Sequence, residues 1–183
     1  LFALLLVPPL VPTLVLSQFR RFVLLVLPVL LVLLHAAPVS AQESGIAVGS
    51  KAPVGVLKDV NGVSVDLSKV IGTKPVVLEF WATWCSNCKE LEPTMLATQK
   101  TFGKDVAIYA VAVNLNQSLE RVKRYVTQYK YPFPMLWDET GDLSGAYEVP
   151  ATSYVVVIGK NGNVVYTGLG GKQDLAAAIR KAR

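Results

Sequence analysis

Histidine is nearly absent from this 183-residue chain. The single one, His35, lies in an apolar front segment, and none follows Gln42. A Ser–His or Cys–His catalytic pair therefore has no base to draw on. A structural zinc site takes four Cys or His ligands, and the donors are too few. Haem attachment needs Cys-x-x-Cys-His, but Lys89 follows Cys88. No metal and no cofactor is expected. Basic runs are also missing. The net charge is +5, of which Arg20 and Arg21 belong to the front segment, so the remainder carries +3. Its Lys and Arg residues are scattered, which argues against nucleic acid as a partner. Residues 168–171 are glycine-rich, yet Lys172 is followed by Gln173 rather than Ser or Thr. The stretch reads as a turn before the last helix and not as a phosphate loop.

Hydrophobic residues make up 52% of the chain, and the excess sits in residues 1–34. Arg20-Arg21 is a short basic region, and residues 22–34 form an apolar run of about 13 residues, the length of a signal-peptide core. Val39-Ser40-Ala41 supplies small residues for cleavage, followed by polar Gln42-Glu43-Ser44. Residues 1–41 are expected to be a signal peptide cut after Ala41; the alternative is an uncleaved N-terminal membrane anchor. The run is short for a membrane span, which needs about 20 apolar residues. No Cys precedes Gln42, which disfavours lipid attachment there. Residues 1–17 carry Pro8, Pro9 and Pro12 and fit neither reading, as if a start had been placed too far upstream. A single domain is expected over 42–183.

Within that domain, strands are expected at 54–57 and 63–65 around Asn61-Gly62, a hairpin signal for a turn with positive φ at both positions. A short helical turn follows at 67–69. Residues 76–81 are apolar apart from Glu79 and read as a buried central strand. A helix comes next, with Leu91, Met95 and Leu96 on one face and its end near Gly103. Residues 106–113 read as a second buried strand. Ser118 can cap a helix from 119 to about 129, which Pro132 and Pro134 stop. Residues 143–147 give a short helix, 154–158 and 164–167 two strands joined through Asn161-Gly162, and 172–183 a closing helix. The order predicts an α/β fold with a mixed sheet and helices on both faces.

Only two cysteines exist, Cys85 and Cys88. A bridge between them closes almost no loop and so adds little stability. The spacing suits reversible exchange instead, where one thiolate attacks and its neighbour resolves the mixed disulfide. Cys85 follows a strand and opens a predicted helix, where free N–H groups and the dipole favour a thiolate. Cys85 is the candidate nucleophile; Cys88, one turn further in and expected to be the more buried, is the candidate resolving thiol.

At Phe80-Trp81-Ala82-Thr83-Trp84-Cys85-Ser86-Asn87-Cys88-Lys89 the chain resembles the active-site segment of the thioredoxin superfamily, above all its exported TlpA/ResA-like thiol–disulfide oxidoreductases. More loosely, the resemblance runs from about Val48 to the C-terminus. It implies a thioredoxin-like fold with an N-terminal β-hairpin extension after Gly49-Ser50-Lys51-Ala52-Pro53 and a central insertion at Tyr131-Pro132-Phe133-Pro134-Met135-Leu136-Trp137-Asp138. Val149-Pro150-Ala151-Thr152 falls at the family's cis-proline loop. Pro150 would be cis beside Cys85, and the Val149 backbone would hydrogen-bond an extended substrate. Glu79 stands where thioredoxins keep a buried acid able to exchange a proton with Cys88; alternatively it turns toward a polar loop. Trp84 would cover the disulfide and form a docking surface, or simply pack. Relatives often carry Glu three residues after the second Cys, where this chain has Leu91; Glu90 and Glu92 beside it read as a solvated face. Pro93 matches the family's helix-kinking proline. Ser86-Asn87 is an uncommon dipeptide between the cysteines and leaves the potential unassigned.

The resemblance implies a periplasmic or otherwise extracytoplasmic protein-disulfide reductase. Exported proteins with disulfides, such as apocytochrome c, would be its substrates, and a membrane electron donor of the DsbD/CcdA type would recharge it. The alternatives are an oxidase or isomerase on the same scaffold, a thiol peroxidase of the peroxiredoxin class, whose Pro-x-x-x-Thr-x-x-Cys spacing is not met, and a binding module without chemistry.

Overall fold

The computed structural model describes residues 45–183. The signal-or-anchor reading of residues 1–41 lies outside the described residues. In chain order the elements are β1 (Val56–Asp59), β2 (Ser64–Asp66), a 3-10 turn (Leu67–Lys69), β3 (Val76–Trp81), α1 (Ser86–Phe102), β4 (Ala107–Val113), α2 (Leu119–Tyr129), β5 (Met135–Asp138), α3 (Asp142–Ala146), β6 (Tyr154–Ile158), β7 (Val164–Leu169) and α4 (Leu175–Ala182).

All six residues of β3 are buried, as a strand covered on both faces requires. It runs parallel to β4 and antiparallel to β6. The sheet order is β2-β1-β5-β4-β3-β6-β7. Strands β4-β3-β6-β7, with α1, α2 and α4, make the thioredoxin-like unit. Between α2 and β6 the chain inserts β5 and α3, and β5 pairs parallel to β4. The β1–β2 hairpin joins the sheet through β5, antiparallel to it. From sequence, Met135–Asp138 is expected only as part of an insertion, with no strand. Four residues behind two prolines carry too little periodicity to declare one, and pairing with β4 makes it.

The hairpin turn departs from the two-residue form expected at Asn61-Gly62. Gly62 has φ of 89°, while Asn61 is not in the left-handed region. The Asp59 carboxylate accepts from the Asn61 and Val63 N–H groups, so a wider turn is held by one side chain. Helix starts follow capping chemistry: Ser118 Oγ accepts from the Arg121 N–H, and Asp174 Oδ1 from the Ala177 N–H. The closing helix therefore begins at Leu175, later than the expected 172. On α1 the buried face is Cys88, Leu91, Met95 and Thr98, whereas Leu96 is exposed. The four follow the helical repeat, and Leu96 lies one residue off it.

Helix α1 contacts α4, which also rests on β6 and β7. Phe80 packs against Tyr147 and Tyr154, with ring centroids 5.4 and 6.3 Å apart. The Tyr147 hydroxyl donates to the Pro53 carbonyl at 2.8 Å, tying α3 to the approach to the hairpin. Leu136 is fully buried on β5 between Val111 and Asp59 as strand neighbours. Leu136→Ala should lower the unfolding free energy by about 2–5 kcal/mol, the range for such truncations. Urea denaturation measures it, and a loss below about 1 kcal/mol would mean that the inserted strand is not part of the core.

Candidate active site

Where β3 ends, the chain turns sharply into α1. The Cys85 N–H donates to the Ala82 carbonyl at 3.1 Å, and Cys85, in extended conformation, becomes the N-cap of α1. Its Sγ accepts from the Cys88 N–H at 3.0 Å. Cys85 and Cys88 are joined as a disulfide. A thiolate released at Cys85 would face that N–H and the positive end of the helix, which lowers a thiol's pKa. Both residues are buried to a similar degree, so Cys88 is not the more buried of the two in this oxidised form. The short bridge carries both sulfurs under the same cover.

The loop ahead of Cys85 is held by a residue the sequence reading passed over. Gln117 Oε1 accepts from both the backbone N–H and the hydroxyl of Thr83, at 2.9 and 3.0 Å. Its Nε2 donates to the Val113 carbonyl. Gln117 thereby couples the β4–α2 loop to the cysteine loop. No local pattern marks it, because its partners lie far away in sequence. Trp84 is 40% exposed, and its Nε1 donates to the Leu115 carbonyl at 3.1 Å. Leu115 is itself exposed beside it.

Glu79 is buried on β3 and faces the core, not a polar loop. Removal from water, with a smaller push from the Glu92 charge, raises its pKa to about 8. Its side chain lines a cavity of about 20 Å³ together with Cys88, Glu92, Tyr125 and Tyr131. Trp81, Met95, Phe133 and Met135 complete the walls. The Tyr131 hydroxyl donates to Glu92 Oε2 at 3.0 Å. Glu92 is therefore not the solvated residue expected from sequence; the fold turns it toward the cavity behind Cys88. A larger groove of about 590 Å³ lies between the hairpin, the start of α2 and the β5–α3 connection. Neither cysteine lines it, whereas Cys88 lines the smaller cavity.

The reading of Pro150 as a cis-proline is corrected: no cis peptide bond occurs among the described residues. Glu148 and Ser153, on either side of Pro150, have left-handed backbone at φ of 50° and 67°. The Val149–Pro150 bond is in the trans form, which an X-Pro amide favours by roughly 0.5–1 kcal/mol. The Val149 N–H is taken by the Ser144 carbonyl at 3.0 Å, so its backbone can offer a substrate only its carbonyl. Pro150 is exposed. The Ser153 N–H donates to the Phe80 carbonyl, fixing this loop to the end of β3 that leads into the cysteines.

A thioredoxin-like sheet with a vicinal cysteine pair capping the first helix defines a class, the thiol–disulfide oxidoreductases. The AhpC/TSA family model matches residues 48–167, and the chain belongs to that family. It is 37% identical over 127 residues to the thiol-disulfide oxidoreductase ResA of Bacillus subtilis, covering 69% of this chain and 70% of that protein. A Chlorobium tepidum protein assigned as the thiol:disulfide interchange protein DsbE matches with a TM-score of 0.67 and 27% identity, over 75% of this chain and 98% of the other. The exposed lipoprotein thioredoxin Etrx1 of Streptococcus pneumoniae matches at 0.62 and 29%, over 71% and 98%. The chain is an enzyme, a thiol–disulfide oxidoreductase of the ResA type.

A carboxyl group whose pKa is raised from 4.5 to about 8 binds more protons in the folded than in the unfolded protein between those values. Stability must then fall as pH rises through that window and level off above it. Glu79→Gln should flatten this slope and stabilise the oxidised protein at pH 9 by several kcal/mol. Urea midpoints of both proteins at pH 5, 7 and 9 measure it; parallel profiles would show that Glu79 ionises freely.

Proposed function

We propose that the protein reduces disulfides of exported proteins outside the cytoplasm, with Cys85 as nucleophile and Cys88 as resolving thiol. The observation that carries this reading is the Cys88 N–H aimed at Cys85 Sγ on the first turn of α1, with a buried carboxyl group behind Cys88. The Cys85 thiolate attacks one sulfur of the substrate disulfide and forms a mixed disulfide, and the other substrate sulfur leaves as a thiolate. The Glu79 carboxylate takes the Cys88 proton, and the Cys88 thiolate attacks Cys85 Sγ. Substrate departs with both sulfurs reduced; two electrons have passed from the protein dithiol, now the Cys85–Cys88 disulfide.

Recharging runs the same path backwards. A donor dithiol attacks Cys85 Sγ, and Cys88 leaves as a thiolate that takes the proton held on Glu79. With its pKa near 8, Glu79 is mostly protonated at pH 7 in the oxidised protein, the state this step needs. The donor would be a membrane dithiol carrier of the DsbD/CcdA type, because an oxidising compartment cannot supply the electrons. Trp84, the Val149 carbonyl and Pro150 would contact the substrate chain, with exposed Leu115 extending the apolar surface beside Trp84. The ResA and DsbE names of the relatives and the apolar front segment support the extracytoplasmic setting. Apocytochrome c is a candidate substrate.

Equilibration of residues 42–183 against dithiothreitol or glutathione buffers tests the direction. A potential near thioredoxin's, about −270 mV, is expected, and one near −120 mV would make the protein an oxidant. Cys85→Ser should abolish reduction of a disulfide-containing protein substrate. Cys88→Ser should trap the mixed disulfide, visible as a mass adduct that dithiothreitol removes. Activity retained in Cys85→Ser would overturn the reading.

A further inference from the structure

Glu79 gives its proton to Cys88 during recharging, and a proton that replaces it has to reach a carboxyl group largely withdrawn from solvent. Glu79 is 6% exposed, and four of its cavity neighbours, Trp81, Met95, Phe133 and Met135, have no group that ionises. The titratable groups that reach the cavity besides Glu79 and Cys88 are Glu92 from α1, Tyr125 from α2 and Tyr131 from the segment before β5. No Lys or Arg borders it among the described residues. Both tyrosines have pKa values pushed upward by burial, so neither accepts a proton as a base. Glu92 differs from Glu79 in being only half-buried, and it thus spans the step from cavity to solvent.

The cavity volume of about 20 Å³ suffices for one water molecule, which takes at least roughly 10–15 Å³ and two or more polar partners. Polar partners are present. No donor of the protein reaches the Glu79 carboxyl among the described residues. Trp81 Nε1 is buried with no protein acceptor. The Tyr131 hydroxyl occupies Oε2 of Glu92. That bond fixes the Glu92 side chain and leaves Oε1 for a second partner.

We propose that Glu92 is the outer member of a carboxyl pair with Glu79, joined through one water in this cavity, and that it carries the Cys88 proton between Glu79 and solvent while Tyr131 holds it in place. The inference rests on the exchange reading above. During recharging, Cys88 leaves Cys85 and takes the Glu79 proton; Glu79 is reprotonated from solvent by way of Glu92. When substrate is reduced that proton first leaves outward along the same groups, which frees the Glu79 carboxylate to take the Cys88 proton. Glu92 acts through Glu79 and Tyr131 through Glu92, so both are positioning residues, and neither touches the sulfurs in this role.

The experiment is reduction of the oxidised protein by dithiothreitol between pH 5.5 and 9, followed by quenched-flow counting of free thiols. In parallel, the infrared carboxylic-acid band of Glu79, identified by its loss in Glu79→Gln, is titrated. Glu92→Gln should slow reduction at pH 7 at least tenfold and move the Glu79 midpoint down by about one pH unit, because a like charge is gone. Glu92→Asp should restore part of the rate, and Tyr131→Phe should slow it about threefold with the Glu79 band retained. An unchanged rate and an unchanged Glu79 midpoint in Glu92→Gln would overturn the proposal. Should Glu92→Gln fail to fold, Tyr131→Phe and Glu92→Asp decide, and wild-type rates and Glu79 midpoints in both would overturn it. If Glu79→Gln itself leaves the rate unchanged, the acid role of Glu79 falls and the relay with it. If Glu79→Gln is slow while Glu92→Gln is not, only the relay falls.

Discussion

Everything the site does depends on the abrupt passage from β3 into α1. A strand buried on both faces cannot move without unpacking the core, so its last residue presents the loop to Cys85 from a fixed point. The bond from Cys85 N–H to the Ala82 carbonyl closes that loop in one turn. Cys85 then occupies the N-cap, the position where a helix has unpaired N–H groups to offer an anion. A hydroxyl or carboxylate usually fills this role, as Ser118 and Asp174 do for α2 and α4. At α1 a sulfur fills it, and the donor that caps the helix is the N–H of the partner cysteine. One geometry therefore serves helix initiation and thiolate stabilisation together.

The same strand carries the least favourable residue in the core. Burial of Glu79 opposes folding whenever the group is ionised, and hydrophobic burial in β3, β4 and β6 has to offset it. The location explains why such a cost is tolerable. A carboxyl group beside Cys88 can exchange a proton with a thiol only if its pKa is raised toward the thiol range, and desolvation is what raises it. Relatives that carry Glu on the helix three residues after the second cysteine would place their carboxyl differently. Here Leu91 fills that helical position and is wholly buried, while the acid sits on the strand and a second acid, Glu92, closes the cavity from the helix.

Around this centre, long-range hydrogen bonds do the holding. Gln117 joins the cysteine loop to the end of β4, and Ser153 joins the 149–153 loop to the end of β3. Neither contact is local, so neither adds to a propensity or a period. Glu148 and Ser153 adopt left-handed backbone, which costs a non-glycine residue energy and persists only where surrounding contacts over-determine it.

By itself the sequence determined the elements whose signal is local or periodic: the apolar run that becomes β3, the Ser118 cap, the stop at the prolines, the hairpin near Gly62, and the cysteine spacing that points to exchange chemistry. Glu79 stood out because a carboxylate in an apolar run is anomalous whatever the fold. Tertiary structure decided what depends on pairing between distant segments. Met135–Asp138 became a strand because β4 offered it an edge, and Glu92 became a cavity residue because Tyr131 lay across from it. Backbone pairing and side-chain burial depend on what the fold brings near, and four residues behind a proline, or one Glu in a charged stretch, carry no trace of it.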